Sequence, residues 1–219
     1  MRALLVANPK GGSGKTTLAT HFAAWLAWQG VRVTLGDMDR QQSSLHWLGL
    51  RPEHLPSIRA WDAREEDPPP PKQTDWVVID SPAGLHGKRL AQAVRWSDRI
   101  IVPVQPSSFD MWATEDFLHG ILEEKAIRKQ KTEIAVVGMR VDPRTRAATL
   151  LEEFLSRLDL PVLTYLRDTQ NYVHVAGAGR TLFDVPRARV ERDMEQWTPL
   201  VRWATAAVRE FDTPFSVRT

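Results

Sequence analysis

Near its start the chain runs Asn8-Pro9-Lys10-Gly11-Gly12-Ser13-Gly14-Lys15-Thr16-Thr17. That segment lies between an apolar run, Ala3 to Ala7, and a stretch where Leu18, Phe22, Trp25 and Leu26 recur at helical spacing. A strand that passes through a glycine-rich turn directly into an amphipathic helix is the setting a phosphate cradle requires. Gly11, Gly12 and Gly14 open backbone conformations closed to other residues, so successive N–H groups from Lys10 to Thr17, Ser13 included, can converge on phosphate oxygens. The helix start contributes its positive dipole end. Lys15 is placed to reach β and γ phosphates, and the Thr16 hydroxyl to ligate Mg²⁺. A plain glycine turn carrying two surface lysines does not account for this set of residues between a strand and a helix.

The strict pattern G-x-x-x-x-G-K-[ST] fails at one position, because Pro9 stands where its first glycine belongs. What the segment matches is K-G-G-x-G-K-T-T, in which a second lysine, Lys10, precedes the glycines. Two acidic segments supply what the loop lacks. One apolar run leads to Asp37-Met38-Asp39, and another, Val77-Val78-Ile79, closes on Asp80. Both place carboxylates at the carboxyl edge of a sheet, where open α/β sheets bind ligands. Asp80 is the natural partner for Mg²⁺ through water or the Thr16 hydroxyl, and Asp39 is placed to orient an attacking water. An isolated acid after a strand is usually a solvated strand end; here the elements occur together and in order.

Further apolar runs at Val31 to Leu35, Trp76 to Ile79, Ile100 to Val104, Ile134 to Val141 and Pro161 to Leu166 read as strands buried on both faces. Their alternation with helical patterns predicts an α/β, doubly wound, mainly parallel sheet flanked by helices. We expect one domain over residues 1–219, with no N-terminal helix-turn-helix extension. Asp62 to Thr74, with successive prolines from Pro68 to Pro71, reads as an exposed loop. Leu200, Ala204, Ala207, Val208 and Phe211 share one helical face with Trp203 beside it, expected to pack on the sheet. Trp25, Trp28 and Trp47 are expected in the core or an interface. The chain has no cysteine, which removes disulfides, thiolate metal sites and iron–sulfur clusters. No apolar run has the roughly 20 residues that span a bilayer, so a cytoplasmic protein is expected. A net charge of +2 neither demands nor forbids nucleic acid.

With Lys10 and the two acidic segments in place, the chain resembles the ParA/MinD family of deviant Walker A P-loop ATPases. The likeness extends to Ile101-Val102-Pro103-Val104-Gln105-Pro106-Ser107, Arg140-Val141-Asp142-Pro143-Arg144-Thr145-Arg146 and Leu166-Arg167-Asp168. The resemblance implies ATP and Mg²⁺ as ligands, with Thr16, Asp39 and Asp80 around the metal. It implies a homodimer clamped by ATP, in which Lys10 reaches the partner's phosphates, and slow hydrolysis, stimulated by an adaptor protein, that dissolves it. A lysine beside phosphate senses the charge lost with the γ-phosphoryl group. The chain departs from the family pattern at Arg40 and Ala83, where relatives usually carry proline, and at Met139, where many carry an asparagine that reads adenine. The choice of ATP over GTP therefore rests on the resemblance.

Three readings of the use of such a switch follow. In the first, the ATP dimer binds DNA without sequence preference, through Arg167, Arg187, Arg189 and Arg192, and positions a cargo on the nucleoid; phosphate contacts of this kind need only charge and reach. The competing view of that segment is a solvated helix face interleaved with Glu191, Asp193 and Glu195. In the second, the protein is a MinD-like membrane regulator, which the tail Thr213 to Thr219, with its single charge and proline, argues against. In the third it is a metabolic enzyme such as an amidoligase-type synthetase. No second constellation of acids, histidines or lysines suggests an acceptor site; His21, His46 and His174 read as surface or helix residues.

Overall fold

A computed structural model describes residues 1–64, 71–124, 127 and 132–206. Its strands are β1 (Arg2–Val6), β2 (Val33–Asp37), β3 (Arg59–Asp62), β4 (Trp76–Asp80), β5 (Arg99–Val104), β6 (Glu133–Val141) and β7 (Val162–Arg167). They form one sheet in the order β3-β2-β4-β1-β5-β6-β7, and every pairing is parallel. The helices are α1 (Lys15–Trp28), α2 (Ser43–Gly49), α3 (Gly87–Trp96), α4 (Ser108–Leu122), α5 (Arg146–Ser156), α6 (Gln170–Ala176) and α7 (Arg187–Thr205). A 3-10 turn, Leu182–Asp184, precedes the last.

The sheet has a core on each face. Leu4 and Val6 of β1 join one cluster with α1 and α7, while Ala3, Leu5 and Ala7 join the other with α3, α4 and α5. Strands covered on both sides need apolar residues at every position, which is why these runs are continuous rather than alternating. From β4 the chain crosses β1 to reach β5, so the strand order reverses beside β1. Ligands of open α/β sheets bind outside the carboxyl ends at such a reversal, and the Lys10–Thr17 loop leaves β1 there.

Several expectations need correction. Helix α1 is not amphipathic: apart from Thr16, Thr17 and the exposed Trp28 at its end, its residues are all buried. Its outer side is covered by the 3-10 turn and by Tyr172, Phe183 and Trp197, which surround His21. Strand β3 carries no apolar run and pairs only with β2 at the sheet edge, with Trp61 alone buried. Asp62 therefore ends a strand rather than opening a loop, and residues 65–70, most of the proline-rich segment, lie outside the described residues. The second strand begins at Val33, two residues later than its apolar letters suggest, and runs through Gly36 to Asp37. Leu200 and Ala204 are buried against the sheet cluster and Trp203 packs beside them, as expected. Ala207, Val208 and Phe211 of that stripe, and the tail to Thr219, are outside the described residues. Among the described residues no helix is long and apolar enough to cross a membrane.

Candidate functional site

The loop from Asn8 to Gly14 is fixed by groups far away in sequence. Asn8 is buried; its amide donates to the Pro103 carbonyl (2.7 Å) and to the Thr114 hydroxyl (3.0 Å), and its oxygen accepts the Lys10 N–H (2.8 Å). The Gln105 amide donates to the Gly12 carbonyl. Gly84, in the loop after β4, donates its N–H to the Pro9 carbonyl (2.9 Å). The loop is thus tied to the ends of β4 and β5 and to helix α4. Gly12 and Gly14 have positive φ, 75° and 98°, a region that L side chains rarely adopt. At Gly14 a Cβ would also meet the Met139 methyl at 2.5 Å, so Met139 packs directly against the loop.

What the loop leaves unsatisfied is as informative as what it fixes. Among the described residues, none of the N–H groups from Gly11 to Thr17 donates to a protein acceptor; the first to do so is Leu18, to the Gly14 carbonyl (3.0 Å). Gly11 and Gly12 are exposed, and a Cβ on either would meet nothing within 4 Å. A run of amides without a protein acceptor at a helix N-terminus makes an anion site.

Lys15 is buried, and its ammonium group donates to the Lys10 carbonyl (2.6 Å) and the Ser13 hydroxyl (3.3 Å). Desolvation lowers its pKa, partly offset by the charges of Asp80 and Asp39. The Thr16 hydroxyl donates to one Asp80 oxygen (2.8 Å). The other Asp80 oxygen is buried without a partner among the described residues, and burial pushes the carboxyl up to about 7. An orphaned carboxylate oxygen beside a threonine hydroxyl suits a hard divalent cation, which takes oxygen ligands and offsets the cost of the buried charge. The residues present therefore fit Mg²⁺, with Thr16 and Asp80 as the holding pair. Asp39 lies partly buried in the β2–α2 connection and accepts the Gln41 N–H (3.0 Å).

Asp37 and Asp39, adjacent in the sequence reading, have different surroundings. Asp37 is fully buried and accepts from the N–H of Asp39 and Ser44 and from the Ser44 hydroxyl (2.6 Å), holding the start of α2 and shaping the turn that carries Asp39. Arg40 is exposed in the same turn, and Ala83 in the loop after β4. At the end of β6 an irregular register buries Met139 and turns Arg140 outward at φ 52°, as bulges do when they re-aim a side chain.

The basic residues assigned to DNA are not alike. The Arg167 guanidinium pairs with both oxygens of Asp193, the longer contact 3.1 Å, and Asn171 adds a third hydrogen bond (2.6 Å). Asp193 is completely buried, so it is no part of a solvated face. Arg187, Arg189 and Arg192 are exposed, with Arg187 within 3.7 Å of Glu191. Helix α7 is kinked at Val190, which separates Arg187 and Arg189 from Arg192. His21, read as a helix residue, is buried: Nδ1 faces the Thr17 carbonyl (2.8 Å) and Nε2 accepts the Leu182 N–H (3.3 Å). Burial pulls its pKa down to about 4, so the imidazole is neutral.

Comparison with known proteins agrees with this geometry. The chain is 31% identical over 178 residues to the maintenance of carboxysome distribution protein A of Halothiobacillus neapolitanus, covering 74% of this chain and 76% of that one. It is 30% identical over 176 residues to protein ParA of Rhizobium radiobacter, covering 74% and 78%. Its fold matches the apo McdA structure from Cyanthece with a TM-score of 0.74 at 17% identity, covering 93% of this chain and 99% of the other. It also matches the MinD cell division protein of Aquifex aeolicus with a TM-score of 0.70 at 18% identity, covering 99% and 100%. A phosphate loop whose amides lack protein acceptors, a Thr16–Asp80 pair with an oxygen to spare, and a family model matching residues 4–182 lead to one conclusion: the chain belongs to the CobQ/CobB/MinD/ParA nucleotide binding domain family, as a ParA-like P-loop protein.

Proposed function

We propose that two copies of this chain close face to face over ATP and Mg²⁺, and that this dimer binds DNA without sequence preference to position a cargo. Slow, adaptor-stimulated hydrolysis then dissolves it. The observation that carries the reading is the row of amides from Gly11 to Thr17 without a protein acceptor among the described residues, with Lys10 partly exposed beside it. Lys15 neutralises β and γ phosphate charge within its own subunit, while Lys10 is free to do so for a partner's nucleotide. Thr16 and Asp80 would hold Mg²⁺, with Asp39 near it. The metal supplies Lewis-acid stabilisation of the phosphate oxygens. Asp39, on a turn fixed by Asp37, orients the attacking water. Loss of the γ-phosphoryl group removes the charge that Lys10 crosses to meet, and the two copies part.

The assignment of cargo positioning draws on the relatives, whose names refer to carboxysome distribution, to ParA and to chromosome partitioning. The DNA contacts best supported are Arg187, Arg189 and Arg192, the exposed members of the basic set. A location on the nucleoid in the cytoplasm follows from DNA retention.

Size-exclusion light scattering and DNA gel shifts, each with ATP–Mg²⁺ and with ADP–Mg²⁺, test the whole reading. A dimer and a salt-sensitive DNA complex are expected with ATP alone. Equal DNA retention with ADP sinks the switch.

A further inference from the structure

Helix α4 begins with two large aromatic side chains in open solvent. Phe109 is 72% exposed and Trp112 60%, and their rings meet edge to face with centroids 5.6 Å apart. No packing among the described residues accounts for this pair. We propose that Phe109 and Trp112 are the apolar anchor on which a second copy of this chain seats when ATP closes the dimer. This rests on the face-to-face reading above and adds to it the side chains that hold the faces together.

The first argument is placement. Asn8, at the root of the phosphate loop, donates to Thr114 of α4, and Gln105, four residues before Phe109, donates to the Gly12 carbonyl. The start of α4 is therefore tied to the loop, and the aromatic pair, on the first turns of that helix, lies at the same carboxyl edge of the sheet. A partner near enough to receive Lys10 at its phosphates covers this neighbourhood. The second argument is charge. From Ile100 to Glu124 the sequence has no lysine or arginine, and Glu115 and Asp116 are exposed on α4 close to the rings. An anionic partner, whether DNA or an acidic lipid surface, is repelled there. The loops at this same carboxyl edge carry the partly exposed Lys10 and the exposed Arg40 and Arg140, so a second copy offers the cations that this helix lacks. The third is symmetry: a two-fold contact uses one surface on both copies, so the acids of α4 on each meet the cations of the other, and aromatic anchors shielded from water by a polar rim dominate such interfaces.

The native chain has no cysteine, so one introduced thiol reports position directly. Asp116→Cys, one turn beyond Trp112 and exposed on the same helix, treated with a short bis-maleimide, should give a cross-linked dimer with ATP–Mg²⁺ and not with ADP. Ser156→Cys, exposed at the end of α5 at the other edge of the sheet, should stay uncross-linked in both. Phe109→Ser with Trp112→Ser should bind a fluorescent ATP analogue as the native chain does, yet weaken the ATP dimer by about thirtyfold or more in light scattering. If the native chain dimerises with ATP while the double variant dimerises equally well and Asp116→Cys does not cross-link, the anchor assignment falls and the sandwich stands. If the native chain stays monomeric with ATP, the sandwich falls and the anchor with it. Should the double variant not fold, the cross-link alone decides.

Discussion

The phosphate loop and the basic segment around α7 were both legible as anion sites, and they differ in what the protein does with its own polar groups. At the loop, seven successive amides and one Asp80 oxygen have no protein partner among the described residues. At the other region, the residue that most resembles a DNA contact, Arg167, already holds a buried carboxylate. A buried polar group without a partner, such as the Asp80 oxygen, costs free energy and persists where a ligand offsets it. Charge that the fold has already used for an internal ion pair carries no such message. By that standard the nucleotide site is built into the fold, and the proposed DNA surface is reduced to three exposed arginines.

The comparison can be broken from the DNA side. Replacing Arg187, Arg189 and Arg192 together with alanine should lower DNA affinity of the ATP form by about a hundredfold at moderate salt. The slope of log affinity against log salt should fall by roughly 2 to 3, about 0.9 for each phosphate that no longer meets an arginine. Thermal stability should change little, since all three are exposed. A triple variant with native DNA retention moves the interface elsewhere.

Arg167→Ala sharpens the contrast. Removing it leaves Asp193 buried with only Asn171 as partner, so the expected result is a loss of about 2 kcal/mol in denaturant unfolding. That lies below the roughly 3–5 kcal/mol of a fully buried pair, because the arginine is itself a third exposed. Asp193→Asn should lose stability in the same direction. If Arg167→Ala instead unfolds like the native chain but loses DNA, the residue belongs with the three arginines after all.

What the sequence made legible was local. Gly11 to Thr17, the acids after β2 and β4, and the continuous apolar strands all state their role within a few residues. The unread features depend on partners far away. Asn8 anchors the loop through Thr114, 106 positions on, and Arg167 meets Asp193 26 positions on. No spacing announces either. Asp37 looked like Asp39 until the fold turned one toward Ser44 and the other outward. Helix α1 misled for a different reason: Thr20 and His21 are polar letters, so the helix read as having a wet face. Both are buried because each bonds a carbonyl of its own helix, Thr16 and Thr17 respectively, and His21 stays neutral among aromatic rings. Local satisfaction lets polar residues enter a core, and periodicity cannot detect it.

The smallest expected effect tests the nucleotide side most sharply. Gly14 must be glycine for the protein's own sake, through its positive φ and the Met139 methyl. Gly11 has neither constraint: its φ is not positive and a Cβ there meets nothing within 4 Å. Exposed at the head of the amide row, Gly11 leaves room for phosphate to approach the backbone. Gly11→Ala should therefore unfold within about 0.5 kcal/mol of the native chain, as exposed substitutions usually do. Its ATP affinity should fall about tenfold, roughly 1.4 kcal/mol, because the added methyl group stands between the amides and the phosphate oxygens. Calorimetric titration with ATP–Mg²⁺ beside a denaturation curve separates the two quantities. Native affinity in that variant means phosphate does not lie against Gly11, and the cradle must then be read from Gly12 onward.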